Sequence, residues 1–205
     1  MIAIIDYGLG NAGSIKNMLK KLNTRSVITS NSSDIQKAKA IIIPGVGSFD
    51  QGVRNIEELT FFDDLNNIAC IEKRPILGIC LGMQLMTNKS EEGTSNGLGW
   101  IDAEVIRFSD SHGPVPNMGW GYITDIANQN LFKDMGRNYK FYFVHSYYVK
   151  CNDEKNILSR TEYGKKFVSS FIKDNLMGVQ FHPEKSHQYG INFFKNWLDY
   201  YNLGQ

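Results

Sequence analysis

Pro75-Ile76-Leu77-Gly78-Ile79-Cys80-Leu81-Gly82-Met83-Gln84-Leu85-Met86 is the stretch on which the reading of this chain turns. Pro75–Ile79 is a short apolar run, read as a buried parallel strand. Helical sequence follows through Met86. Between them lies the form G-x-nucleophile-x-G, with Cys80 at its centre. The flanking Gly78 and Gly82 let the chain turn sharply and let strand and helix pack closely. Such a turn presents the sulfur at the C-terminal edge of a sheet, where open α/β folds bind ligands. The backbone N–H of Leu81 then points toward an anion formed at the same spot. Cys70 and Cys151 lack glycine flanks and read as small buried hydrophobes.

Outward from this stretch, the first half of the chain alternates strand and helix. Met1–Asp6, Ser26–Thr29 and Ala40–Ile43 read as strands. Ser14–Leu22 has helical spacing, with Ile15, Met18, Leu19 and Leu22 on one stripe. Ser33-Asp34-Ile35-Gln36 reads as a capping box that opens a short helix. Phe49–Cys70 reads as helical with a break near Thr60. The second half offers strands at Ala103–Phe108, Gly119–Ile126, Phe141–Val149, Asn156–Thr161, Phe167–Ile172 and Leu176–Phe181, and a closing helix at Ile191–Tyr201. The expected architecture is one α/β domain: an open, mostly parallel sheet flanked by helices, with a smaller antiparallel layer.

Composition excludes other classes. The chain has 205 residues, about one domain. Lys and Arg total 22 against 21 Asp and Glu, so no basic excess marks a nucleic-acid binder. The three cysteines contain no C-x-x-C, which argues against a disulfide scaffold or thiolate zinc site and suits a reducing cytoplasm. The opening apolar run ends at Asp6, too short for a signal peptide, and no run approaches a membrane span.

A cysteine nucleophile needs a base, and the base an orienting group. His182-Pro183-Glu184 directly follows the Leu176–Phe181 strand. Proline fixes the backbone there, so Glu184 can hold one ring nitrogen while the other faces Cys80. His145, which shares a strand face with Phe141 and Phe143, reads instead as a core or pocket-wall histidine. His182, Glu184 and His187 lack zinc-ligand spacing, so no metal is expected. Pro44-Gly45-Val46-Gly47 ends another strand; if that strand neighbours the Cys80 strand, its N–H groups complete an oxyanion hole. Gly8-x-Gly10-x-x-Gly13 matches the dinucleotide fingerprint literally. No acid ends the second strand to bond a ribose, so a tight strand–helix connection is the better reading.

Together, Pro44-Gly45-Val46-Gly47, Gly78–Gln84, Val144-His145-Ser146-Tyr147 and Gly178–Ser186 stand in the order found in class I (triad) glutamine amidotransferases, which this chain resembles along its whole length, 1–205. Asp6-Tyr7-Gly8-x-Gly10-Asn11, Pro116-x-Met118-Gly119-Trp120 and Glu184-Lys185-Ser186 look like those of the glutaminase subunits of imidazole glycerol phosphate synthases. The resemblance implies Cys80 as nucleophile, His182 as acid and base, and Glu184 as its orienter. It implies oxyanion donors from Leu81 and Gly45, Val46 and Gly47. Gln84, Glu91, Ser146 and Tyr147 are the positions implied to hold L-glutamine, with no cofactor. It further implies docking on a (β/α)₈-barrel synthase subunit, near Asn11, Trp120 and Lys185, which uses the ammonia in histidine biosynthesis. Two positions depart: Asn117 stands where the family usually has His, and Gly121 where it has Asn. Those departures bear on the partner, and the alternative they leave is a related barrel that builds an amidino sugar for bacterial surface glycans.

Overall fold

The computed structural model describes residues 1–135 and 139–204. Five strands form the parallel part of the sheet: β1 (Ile2–Ile5), β2 (Ser26–Thr29), β3 (Ala40–Ile43), β4 (Ile76–Ile79) and β12 (Leu176–Val179), side by side in the order β2-β1-β3-β4-β12. Beyond β12 the sheet continues antiparallel through β11 (Lys166–Lys173), β10 (Ile157–Glu162), β7 (Asn117–Thr124) and β8 (Lys140–His145). A branch of β5 (Lys89–Ser90), β6 (Ala103–Arg107) and β9 (Tyr147–Cys151) joins at β11.

The parallel strands are apolar on both faces because helices cover both. On one side α3 (Phe49–Glu57), α4 (Phe62–Asn67) and α5 (Leu81–Leu85) bury Phe49, Val53, Ile56, Leu65 and Leu81 against Ala3, Ile5, Ile41 and Ile43. On the other, α1 (Ala12–Lys21) and α6 (His187–Tyr200) bury Ile15, Leu19, Phe193 and Trp197 against Ile2, Ile4, Ile42 and Leu77. The period-two alternation within each strand divides these cores.

Three local readings are corrected. The helix α2 (Ser32–Lys37) is capped by Asn31, whose side chain accepts from the Ser33 amide. Asn31 precedes Ser33 by two residues and has the extended backbone an N-cap needs. The break near Thr60 is present, but the second helical piece runs past Cys70 as a π-helical turn over Ile68–Glu72, which leaves Cys70 exposed rather than buried as its sequence setting suggested, while Cys151 is buried. Phe141–Val149 is two strands, β8 and β9, because the chain leaves β7 at Ser146 to pair β9 with β6. No helix among the described residues is long and apolar enough to cross a membrane.

Candidate active site

The elbow is built as its glycines require. Cys80 has φ 51 and ψ −108, a positive φ that costs a non-glycine residue about 1–3 kcal/mol. A Cβ on Gly82 would lie 2.0 Å from the Ile43 carbonyl oxygen, and one on Gly78 2.6 Å from the Gly82 oxygen. Only glycines let β3, β4 and α5 converge this tightly. β12 lies directly beside β4, with Val179 opposite Ile79, and the Cys80 amide donates to the Val179 carbonyl at 2.7 Å.

That pairing brings the turn after β12 to the sulfur. Pro183 opens a 3₁₀ turn over Pro183–Lys185, and His182 Nδ1 meets Glu184 Oε1 at 2.7 Å, both side chains almost fully buried. The turn is tied to β8: the His182 amide donates to the Tyr142 carbonyl, and the Ser186 hydroxyl donates to the His182 carbonyl while accepting from the Tyr142 amide. His182 Nε2 is buried without a hydrogen-bond partner among the described residues. Burial alone would lower the His182 pKa. The sulfur of Cys80 and the carboxylate of Glu184 outweigh it and raise the value to about 10.

In front of Cys80 lies a cavity of about 460 Å³. Val46, Gly47, Leu81, Gln84, Ser146 and Tyr147 line it together with Cys80, whereas Gly45 does not. β3 does neighbour β4, which places the Pro44–Gly47 loop at the cavity wall. Tyr7 donates its hydroxyl to the Pro44 carbonyl at 2.5 Å and pins the start of that loop. The Gly8–Gly13 turn packs on the same loop: a Cβ at Gly10 would meet the Gly45 nitrogen and Pro44 at 2.9 Å. It is the tight strand–helix connection expected, and Asn11 serves there as the N-cap of α1, accepting from Ser14.

Glu91 is not at the cavity. Its carboxylate accepts from the Arg107 amide at 2.7 Å on an exposed edge. The next residue, Glu92, lines the cavity instead, fixed by the Phe49 amide that opens α3. Burial raises the Glu92 pKa, opposed by that amide. Two adjacent acids leave a one-residue ambiguity in sequence, and backbone alternation at the end of β5 resolves it.

His145 is a wall residue as expected. Nδ1 lies 2.7 Å from the Tyr147 carbonyl and Nε2 3.1 Å from Asn117 Nδ2. A carbonyl only accepts, so Nδ1 carries the proton and Asn117 donates to Nε2. Burial lowers the His145 pKa to about 4, which keeps the ring neutral. Both departures from the resemblance thus face inward: Asn117 onto His145, and Gly121 toward Phe143, which a Cβ would meet at 2.9 Å. The opposite face of β7 presents Met118, Trp120 and Tyr122, all exposed. Gly121 therefore removes nothing from the surface around Trp120. Trp120 stacks on His187, and Lys185 Nζ sits 5.9 Å from the Tyr142 ring at the cavity rim.

The family model described as glutamine amidotransferase class-I matches residues 3–199. The chain belongs to that family. Among its class I amidotransferase relatives, "Imidazole glycerol phosphate synthase subunit HisH 2" of Methanococcus maripaludis is 52% identical over 97% of this chain and 98% of its own. The protein of that name from Pseudomonas aeruginosa is 40% identical over 97% and 99%. "Imidazole glycerol phosphate synthase subunit HisH" of Leptospira interrogans is 40% identical over 96% and 98%. A crystal structure of a glutamine amidotransferase shares the fold, with TM-score 0.76 at 17% identity over 98% of this chain and 100% of that one. PurLQS from Thermotoga maritima does too, with TM-score 0.72 at 18% identity and 97% of both.

Proposed function

We propose that this amidotransferase is the glutaminase subunit of an imidazole glycerol phosphate synthase, acting in histidine biosynthesis. The observation that carries the chemistry is the buried His182–Glu184 pair, on the turn after β12, set beside Cys80 at the end of the adjacent strand β4. The relatives' names support the pathway.

Cys80 attacks the side-chain amide carbon of L-glutamine, and the carbonyl oxygen takes the negative charge. The Leu81 N–H and the Gly45–Val46–Gly47 segment face that oxygen. His182, protonated and held by Glu184, gives its proton to the departing nitrogen, so ammonia leaves and a thioester remains. His182 then takes a proton from water, which attacks the thioester carbon; the C–S bond breaks and glutamate is released. Glu92 and Gln84 at the cavity wall, with Ser146 and Tyr147, hold the amino-acid end of the substrate. Ammonia set free in neutral water is protonated and loses its nucleophilicity, so it passes to a partner without meeting solvent. A (β/α)₈-barrel synthase subunit fits that need, forming a heterodimer through the Met118–Trp120–Tyr122 face, with Lys185 at the rim and Asn11 on the neighbouring loop.

The test is glutamate release by the purified chain, alone and with the cyclase subunit of imidazole glycerol phosphate synthase carrying its nucleotide ligand. Strong stimulation, lost in Cys80→Ala, is the expected result. Glutamate release by Cys80→Ala would remove the nucleophile, and an unstimulated but active enzyme would point to the amidino-sugar barrel instead.

A further inference from the structure

Gln180 stands one residue before Phe181 and two before His182. It is completely buried, and nothing in the proposed chemistry uses it. Its Nε2 lies 3.6 Å from Cys80 Sγ and its Oε1 3.1 Å from Gln84 Nε2. An amide can be turned end for end, so the question is what sets its direction. The answer is the Tyr147 carbonyl, which can only accept. It lies 3.1 Å from Gln84 Nε2, so the Gln84 amide must present its nitrogen there. The same nitrogen faces the Gln180 side chain, which must therefore present its oxygen. The Gln180 nitrogen is left toward the sulfur. One backbone carbonyl thus fixes a directed chain, and Gln84 Oε1 remains as the acceptor offered to the cavity.

We infer that Gln180 is a positioning residue for Cys80: its amide N–H, aimed through Gln84 by the Tyr147 carbonyl, donates to the nucleophilic sulfur. The inference rests on Cys80 being the nucleophile. Besides His182, the sulfur also meets the Val144 carbonyl at 4.0 Å, an acceptor that suits the thiol form. The Gln180 N–H suits the charged form, and a donor to an ionised acceptor is roughly twice as strong as a neutral pair. His182 moves the proton; Gln180 holds the sulfur in place and in its charged form.

The test is site-resolved alkylation of the full chain by iodoacetamide across a range of pH, read by peptide mass spectrometry. Exposed Cys70 is the internal control. In Gln180→Leu the pH of half-maximal Cys80 alkylation is expected to rise by about one, a roughly tenfold change in the protonation equilibrium. Cys70 alkylation stays as in wild type. Should Gln180→Leu not fold, Gln180→Met, unbranched and without a donor, carries the same expectation. A folded variant whose Cys80 profile matches wild type overturns the inference, since a space-filling role would alter thermal stability alone. The nucleophile assignment is read separately. If wild-type Cys80 reacts no faster than Cys70 at mildly acidic pH, and Cys80→Ala still releases glutamate, that assignment fails and the inference with it.

Discussion

At the scale of single residues, the proposed mechanism divides its work between groups that move charge and groups that hold them. In the proposed chemistry, removing His182 takes away both proton transfers, whereas removing Glu184 takes away orientation. His182→Ala should therefore cost glutamine hydrolysis about 10⁴-fold or more, and Glu184→Ala less, as steady-state kinetics would show. The reverse order would contradict the assigned roles. The raised His182 pKa gives a second expectation. The proton given to the leaving nitrogen is present at neutral pH and lost toward about pH 10, so kcat should fall on that alkaline side. The sign for stability is the same. The pair's contribution is full below the ordinary histidine value and is lost as pH rises through about 10. Glu92 and Glu91 make a paired test of the cavity wall. Glu92→Gln should raise KM for glutamine about 10-fold or more, because a charged partner of the substrate is lost. Glu91→Gln should leave KM unchanged, because its carboxylate serves the Arg107 amide outside the cavity.

At the scale of elements, the site depends on how closely three of them converge. Gly82 leaves a Cβ no room against the Ile43 carbonyl, which belongs to backbone and cannot swing aside. Gly82→Ala should cost roughly 1–3 kcal/mol or more in denaturant unfolding and displace Cys80 from β12 as well. The motif made this glycine legible, since a strand-to-helix elbow needs it. The His-Pro-Glu turn was legible for the same reason: its His182–Glu184 pair lies within three consecutive residues. Glu92 was not, because two acids side by side differ only in which way alternating backbone turns them. Gln180 was not, because nothing in the order Val179-Gln180-Phe181 marks an amide aimed at a sulfur on another strand. The two departures at Asn117 and Gly121 were visible in sequence, but their inward direction is a property of the β7–β8 register.

At the scale of the whole molecule, one surface stands out beside the cavity. Alternation along β7 puts Met118, Trp120 and Tyr122 outward in a row, next to Tyr142 and Lys185 at the rim. Clustered exposed aromatic residues are the usual anchors of an interface. Trp120→Ala should weaken association with the synthase subunit about 30-fold or more, measured by titration calorimetry, while leaving unstimulated glutamate release as in wild type. The apolar strands, the elbow around Cys80 and the His182–Glu184 turn were determined by sequence alone, because each is a short-range pattern of side-chain size, backbone freedom and chemistry. Which strands lie side by side, which of two acids enters the cavity, and which amide reaches the sulfur were decided only by the tertiary structure. Those outcomes depend on sheet order and strand register, set by packing between residues far apart in the chain.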